Sequence, residues 1–354
     1  MSNIKCSELI DKLNRIKNTC KDQSFDESGL PCINFIDNQI IANGQSRYVS
    51  IHLNHELTGS QLSFDHLQQT ISKFNPETEI DLIQDDKQVI IKQRIKGKRV
   101  KINLPLISDR QLYYNDNLPD ISDMIPLPDD FMQGIKICES SLPKDTSRPG
   151  FDCYNIKPDK IITSDGARLS IYKLDIELSE PFMLSIKDGM SISENNFTHY
   201  MLGNGCIDLM GEDIFSRISF FINDNYPDIE AVDFNIDGKI KIHRDTLLND
   251  LSRSTLFSMG SHTSSSSIYF NVDNGKYTIR SKNEMGQIIA TGKVKHDIKF
   301  ECAINPIFLL QAIEQLKQNY VIINVHSLGE DDGANKRFMI NENNYTFLFS
   351  SYNQ

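Results

Sequence analysis

Apolar residues along this chain follow two patterns, one repeating every three to four residues and one every two. The first pattern is typical of amphipathic helices and the second of half-buried strands. Helical spacing predicts six helices, at residues 7–20, 64–74, 129–140, 193–202, 244–256 and 305–318. Alternation predicts strands between them, at residues 32–41, 47–53, 79–82, 88–93, 99–104, 151–156, 160–164, 168–174, 206–210, 217–222, 267–272, 276–280, 287–294, 321–326, 337–341 and 345–349.

These predicted elements recur along the chain. A helix followed by strands, then a second helix and more strands, appears three times at a spacing of about 115 residues. Connectors rich in proline and aspartate, near residues 118–126 and 226–237, separate the rounds. The sequence therefore predicts an α+β protein of three similar domains, residues 1–122, 123–234 and 235–354.

Composition narrows the class of protein. The chain has 37 basic and 48 acidic side chains, a net charge of −11, so nucleic-acid binding requires the basic residues to be segregated on one face. The seven cysteines show no C-x-x-C pair, which favours reduced, buried thiols over disulfides or zinc. The apolar runs are too short for a membrane span, and the first residues lack a secretion signal, so we expect a cytoplasmic protein.

Signatures of catalysis are weak in this sequence. Gly203-Asn-Gly205 lacks the third glycine of a dinucleotide fingerprint, and Glu330-Asp-Asp-Gly333 fits an acidic turn better than a metal loop. The eight histidines show neither H-E-x-x-H spacing nor a paired nucleophile. We therefore expect a non-catalytic protein with no cofactor and no metal.

Four short motifs occur in a fixed order: the hairpin Ser164-Asp-Gly-Ala-Arg-Leu169, the triplet Tyr226-Pro-Asp228, the helix entry at 300–309 and the apolar strand at 345–349. On these motifs nearly the whole chain resembles the bacterial-type sliding clamps, the β subunit of DNA polymerase III. In that family the hairpin is Thr-Asp-Gly-His-Arg-Leu and the helix entry is Phe-x-Ile-Asn-Pro-x-x-Leu. The first domain is the most divergent third.

Two departures from the family lie where its members bind partner peptides. Ser164 and Ala167 replace the usual threonine and histidine, and the closing Leu348-Phe-Ser-Ser351 lacks the family's proline and arginine. The resemblance implies a peptide pocket between the second and third domains. It would be built from Arg148, Phe151, Ser164, Gly166, Ala167, Arg168, Leu169, Phe234, Thr346, Leu348 and Phe349. For Leu169, Leu348 and Phe349, plain core packing is an equally weighted alternative.

The resemblance also implies a homodimer closed head to tail around double-stranded DNA, with helices lining the hole. Such a processivity factor in DNA replication would bind the polymerase, a clamp loader and other clamp-binding peptides. The DNA-facing cations would be Lys12, Arg15, Lys21, Lys73, Lys136, Lys144, Arg253 and Lys317. The alternative for each is an ordinary solvated helix face or loop.

At the dimer joint, the resemblance pairs an edge strand of the first domain, with Val100 and Ile102, against Leu256 and Phe257 of the third. Edge-strand and helix-end packing inside one subunit is the alternative here. Two other functions stay open at the level of sequence: a clamp-like scaffold or decoy that binds proteins without encircling DNA, and a polymerase-associated enzyme.

Overall fold

The computed structural model describes residues 2–22, 31–95, 97–107, 118–144, 150–222, 226–227, 234–258, 266–327 and 335–352. This part of the chain is of the α+β class, as the sequence predicts. It contains six α-helices: α1 (Cys6–Lys21), α2 (Phe64–Ile71), α3 (Phe131–Cys138), α4 (Ile186–Ser193), α5 (Arg244–Thr255) and α6 (Pro306–Glu314). Two short 3₁₀ helices lie at Ile121–Asp123 and Glu139–Ser141.

The helices form where the sequence supplies both a cap and an apolar stripe. Asn305 accepts a hydrogen bond from the Ile307 amide at 3.0 Å, and Pro306 starts α6 with no amide hydrogen to satisfy. In α1, Leu9, Leu13 and Ile16 are buried. Burying each such side chain stabilises the fold by about 1.5–3 kcal/mol.

Twenty-four strands make up the sheets of the described residues. In chain order they are β1 (Ser2–Lys5), β2 (Cys32–Ile36), β3 (Gln39–Asn43), β4 (Arg47–His52), β5 (Ser60–Ser63), β6 (Glu79–Gln84), β7 (Gln88–Ile95), β8 (Lys98–Pro105), β9 (Ile125–Pro126), β10 (Cys153–Lys157), β11 (Lys160–Ser164), β12 (Arg168–Lys173), β13 (Phe182–Ser185), β14 (His199–Gly203), β15 (Cys206–Met210), β16 (Ile214–Ser219), β17 (Gly238–His243), β18 (Ile268–Asp273), β19 (Lys276–Asn283), β20 (Gly286–His296), β21 (Phe300–Ile304), β22 (Tyr320–Ser327), β23 (Lys336–Glu342) and β24 (Tyr345–Ser350).

The element order repeats three times: strand, helix, four strands, helix, three strands. Each repeat builds two antiparallel rows. The rows are β1-β6-β7-β8 and β5-β2-β3-β4 in the first, β9-β14-β15-β16 and β13-β10-β11-β12 in the second, and β17-β22-β23-β24 and β21-β18-β19-β20 in the third. A threefold internal repeat is therefore a property of the topology as well as of the sequence.

The described residues group into two compact units. The first comprises residues 1–132 and 187–221, and the second comprises residues 133–186 and 222–354. Each unit holds one complete outer repeat and part of the middle repeat. Within the first unit β4 pairs with β16, and within the second unit β12 pairs with β24. We call these two pairings the first and second internal joints. The three domain boundaries stay a prediction.

One predicted helix is wrong. Residues 199–203, inside the segment 193–202, form strand β14, and the helix of this region is α4, which ends at Ser193. Two physical causes account for the error. The segment 195–201 is rich in asparagine, β-branched and aromatic residues, which disfavour helix. Gly189 inside α4 in turn weakened the helical signal there.

Candidate functional site

The Asp-Gly hairpin between β11 and β12 is held by its own side chains. Ser164 Oγ donates to the Arg168 carbonyl at 2.7 Å and accepts from the Gly166 amide at 3.0 Å. Asp165 Oδ1 accepts from the amides of Ala167 and Arg168 at 2.9 and 3.0 Å. Gly166 has φ of 84°, a conformation that glycine adopts without strain. A serine hydroxyl at position 164 thus makes both hydrogen bonds, without the methyl group of a threonine.

Arg168 fastens this turn to α6. Its Nε donates to Asp165 at 2.9 Å, Nη1 to the side chain of Gln311 and Nη2 to the Leu142 carbonyl at 3.4 Å. The guanidinium also lies 4.4 Å from the centre of the Phe308 ring. Burial lowers the pKa of Arg168, while Asp165 opposes that shift. All three guanidinium nitrogens therefore have partners.

Beside the turn lies an open pocket of about 200 Å³ across the second internal joint. Leu169 of β12 faces Leu348 of β24, and both pack with Ile162 in one buried cluster. Phe349, almost fully buried, stacks on Phe338 with the ring centres 4.9 Å apart. An apolar floor with a few polar groups at its rim is the usual form of a site for a peptide with apolar anchors.

The structure brings together most of the residues expected at this pocket. Its walls include Phe151, Ser164, Gly166, Ala167, Arg168, Leu169, Leu348 and Phe349. Phe234 packs against the floor, whereas Thr346, paired with Ile171, does not line it. Arg148 lies outside the described residues. The leucines belong to the core and to the floor at once, so the two interpretations of them are compatible. Peptide binding stays a prediction.

The sequence missed two residues of the wall, Arg337 and Ser350. They face each other across β23 and β24, and the Ser350 amide donates to the Ala167 carbonyl at 3.3 Å. The pairing register of the final hairpin would have found Arg337, because it lies opposite the end of the apolar strand.

The eight cations expected at DNA fall into two groups. Lys21, Lys73, Lys136, Lys144, Arg253 and Lys317 are exposed. Lys12 and Arg15 are instead committed to Asp213: Lys12 Nζ lies 2.8 Å from one carboxylate oxygen, and Arg15 binds both oxygens at 2.8 Å. Arg15 also donates to Asn195 at 2.9 Å. Asp213 thus neutralises charge that the resemblance to sliding clamps places at DNA, and DNA contact for all eight cations stays a prediction.

The residues expected at the dimer joint lie on strand β8 and just after helix α5. Val100 is exposed and Ile102 half-buried on β8, which among the described residues pairs only with β7. Leu256 is exposed just after α5, and the Phe257 ring lies so close to Gly286 that a Cβ there would approach within 3.3 Å. Phe257 therefore lies beside the start of β20.

The described residues were expected to hold neither a metal site nor a disulfide. They contain no group of three or more metal-ligating side chains, and their cysteines are free, with only Cys206 not fully buried. None of the described helices has the length and apolar character of a membrane span.

Comparison with known proteins identifies the fold. No family model matches the sequence, and no curated protein matches it either. Solved structures do match. The DNA polymerase III β subunit of Pseudomonas aeruginosa aligns with a TM-score of 0.76 and 13% identity over 99% of both chains. That of Thermotoga maritima aligns with a TM-score of 0.76 and 15% identity over 99% of both.

The β subunit of Borrelia burgdorferi, solved in complex with a natural product, gives a TM-score of 0.79 and 15% identity over 99% of this chain and 98% of that one. Identities this low establish shared architecture, and the match spans nearly the full length of each protein. The chain therefore has the fold of the DNA polymerase III β subunit, the sliding clamp.

Proposed function

We propose that this protein is a DNA sliding clamp, a non-catalytic processivity factor that encircles duplex DNA as a head-to-tail homodimer. The observation that carries the proposal is the rule by which repeats join. At both internal joints, the last strand of one row pairs antiparallel with the last strand of a row in the next repeat: β4 with β16, and β12 with β24.

Applied once more, this rule pairs β20 with β8. Both are last strands of their rows, and β8 pairs only with β7 in the described part of the chain. Residues 286–293 of β20 pair with β19, while only residues 294–296 reach β17. Within the described residues each strand thus offers an open edge of eight residues, and a second copy of the chain would supply a partner for each.

The side chains favour this pairing over pairing of like edges. β8 carries three cations, Lys98, Arg99 and Lys101, which disfavour pairing with another β8. The open stretch of β20 has only Lys293, and Ile289 on it is 64% exposed. A neutral, partly apolar edge is a suitable partner for a cationic one.

The joint is tested by substituting Ile289→Lys, with Met285→Lys as the matched control. Met285 is also exposed but lies in the turn before the open stretch. Placing a further cation opposite the three cations of β8 should weaken the dimer at least about 30-fold, or 2 kcal/mol, without unfolding the monomer. Light scattering should show twice the 40.4 kDa chain mass for the control and single mass for the variant. Equal dimerisation of both would contradict the joint.

DNA would be held by topology rather than by affinity. A closed ring needs only weak, sequence-independent attraction to phosphates, and strong contacts would stop sliding. Six exposed cations on helices and loops, against a net charge of −11, suit such a task. Loaded protein should stay on nicked circular DNA and leave the same DNA after linearisation; equal escape from both would rule out encirclement. Loading would require an ATP-driven partner, in the cytoplasm where the DNA lies.

The pocket at the second internal joint would then dock polymerase and other partner proteins through extended peptides. A second function is favoured by one observation, the pairing of Lys12 and Arg15 with Asp213. A scaffold that binds proteins but not DNA would not need those charges. A monomer at micromolar concentration with intact peptide binding would support the scaffold over the clamp.

A further inference from the structure

A second cavity, of about 210 Å³, lies in the first unit, where the end of α1, the start of β4 and the first turn of α4 meet. It is lined by Asn18, Lys21, Asp22, Arg47, Lys187 and Met190. Its volume exceeds the roughly 30 Å³ share of one water molecule several times over, so a small polyatomic ion fits. The lining carries three cations and one carboxylate.

Arg47 is the unusual member of this lining. Its side chain is 1% exposed, and Nη1 donates to the Lys187 carbonyl at 3.1 Å. Nε and Nη2 are buried and have no hydrogen-bond partner among the described residues. A guanidinium stays charged in proteins, and buried donors almost always find acceptors. The two nitrogens form the fork that binds oxyanions through a pair of parallel hydrogen bonds.

Comparison with the second repeat identifies what Arg47 lacks. Asn43 pairs with Tyr48 as Ser164 pairs with Leu169, so both hairpins have four-residue turns that end in arginine. In the second repeat the turn begins with Asp165, which accepts from Arg168 Nε. In the first repeat that position is Gly44, where a Cβ would meet the Thr19 carbonyl at 3.1 Å. The close approach of α1 therefore leaves Nε of Arg47 without the turn carboxylate that binds Nε of Arg168.

Asp188 forms an ion pair with Arg47 through Nη1, but no nearby carboxylate of the described residues accepts from Nε or Nη2. Asp188 Oδ1 lies 3.7 Å from Arg47 Nη1 and accepts from the Ser46 hydroxyl, whose Oγ is 3.0 and 2.9 Å from the two carboxylate oxygens. Asp22 accepts from Lys187 Nζ at 3.1 Å, and Glu194, on the outer side, accepts from Asn18 Nδ2 at 2.9 Å. Lys21 and Lys187 add positive charge at the cavity mouth.

We propose that this cavity binds one tetrahedral oxyanion of the phosphate class, held bidentately by Nε and Nη2 of Arg47. Lys187 and Lys21 contribute charge at its open side. The anion takes the place that the Asp165 carboxylate occupies in the second repeat. Free phosphate and a phosphate of a DNA backbone share this chemistry. The site does not depend on ring closure, so it can be tested whether or not the protein encircles DNA.

The test compares inorganic phosphate with chloride at constant ionic strength, using the full chain. Phosphate should raise the melting temperature of the wild type, and ³¹P line broadening should give its affinity. Lys187→Gln should weaken phosphate at least tenfold, since its side chain is 76% exposed and the change leaves the fold intact. Lys136 is an exposed lysine of the second unit, so Lys136→Gln is the control and should leave phosphate affinity unchanged.

Arg47→Lys, which removes the fork but keeps the charge, should abolish binding. If it does not fold, a crystal soaked in selenate provides the same information: anomalous density within hydrogen-bond distance of Nε and Nη2 is expected, and ordered water alone would overturn the site. Identical stabilisation by phosphate and chloride would also overturn it. A short duplex that displaces bound phosphate identifies a DNA phosphate as the natural occupant; no displacement identifies the free ion.

Discussion

The two internal joints are built on the same plan and differ in what fills them. At the first joint, Tyr48 of β4 and Phe215 of β16 meet edge to face, with ring centres 6.2 Å apart, over Ile41. At the second joint, Leu169 takes the position of Tyr48 and packs with Leu348. Aromatic rings thus lie at the first joint, whereas the smaller leucines line the pocket of about 200 Å³ at the second.

The arginines that end the two turns differ in how many of their guanidinium nitrogens have hydrogen-bond partners. Arg168 has a hydrogen-bond partner for each guanidinium nitrogen and so links the turn to α6. Arg47 has two nitrogens without one in the described structure. Corresponding positions of the two hairpins thus differ in single residues, Tyr48 against Leu169 and Gly44 against Asp165, and the two arginines differ in how many of their nitrogens have partners.

The largest expected effect comes from the arginines. Arg168→Lys loses the fork that binds Asp165, Gln311 and the Leu142 carbonyl, and should lower the free energy of unfolding by about 3 kcal/mol. Arg47→Lys, in buffer free of oxyanions, should cost under about 1 kcal/mol because fewer contacts are lost. Urea denaturation measures both. Equal losses would show that the two arginines are equivalent and break the comparison.

An effect of intermediate size is expected when the second joint receives the tyrosine that the first joint has at the corresponding position. Leu169→Tyr should fill the pocket and weaken a fluorescent peptide with leucine and phenylalanine anchors at least about 30-fold, or 2 kcal/mol. Fluorescence polarisation gives the affinity. Tyr48→Leu is the matched control, since it opens the other joint and should leave peptide binding unchanged. Unaltered binding by the Leu169→Tyr variant would remove the pocket as the docking site.

The smallest expected effect is the pH dependence of the stability that Asp213 contributes. The hydrogen bond from Arg15, and then that from Lys12, hold the pKa of Asp213 well below its usual range. A carboxyl with a depressed folded pKa stabilises above its unfolded pKa, near 4, and loses that contribution as the pH falls through the folded pKa. Asp213 precedes β16 at the first joint, whereas the corresponding turn before β24 carries Asn343 and Asn344.

Asp213→Asn should therefore cost about 1 kcal/mol at neutral pH, a modest value because the side chain is partly exposed to solvent. The difference from wild type should shrink in urea titrations below about pH 4. A difference that is constant with pH would show that packing, rather than charge, accounts for the loss.

Much of this architecture was predictable because periodicity is a local signal. The structure confirms five of the six helices that apolar spacing predicts, and it confirms the fold class. The failure at 193–202 was avoidable, since the repeat itself requires a strand after the second helix. Short strands such as β1 and β13 have four residues each, too few for alternation to register.

The sites were less accessible from sequence, because they depend on register and on missing partners. The correspondence of Tyr48 with Leu169 is apparent only after β3 and β11 are aligned through their hairpins. That Asp213 would bind Lys12 and Arg15 follows from contacts about 200 residues apart along the chain, which no local pattern contains. The open side of β20 likewise depends on where β17 stops pairing.

The two open strand edges of one copy, β8 and the first part of β20, are unlike each other. Each copy has one β8 edge and one β20 edge, so each added copy leaves the same two edges exposed unless the last meets the first. Under the proposed pairing of β8 with β20, a series of copies is therefore either a closed ring or an open filament. Tyr48 and Leu169 lie far from both edges along the chain. Substitutions there that alter the strand twist at an internal joint would still change whether copies form a ring or a filament.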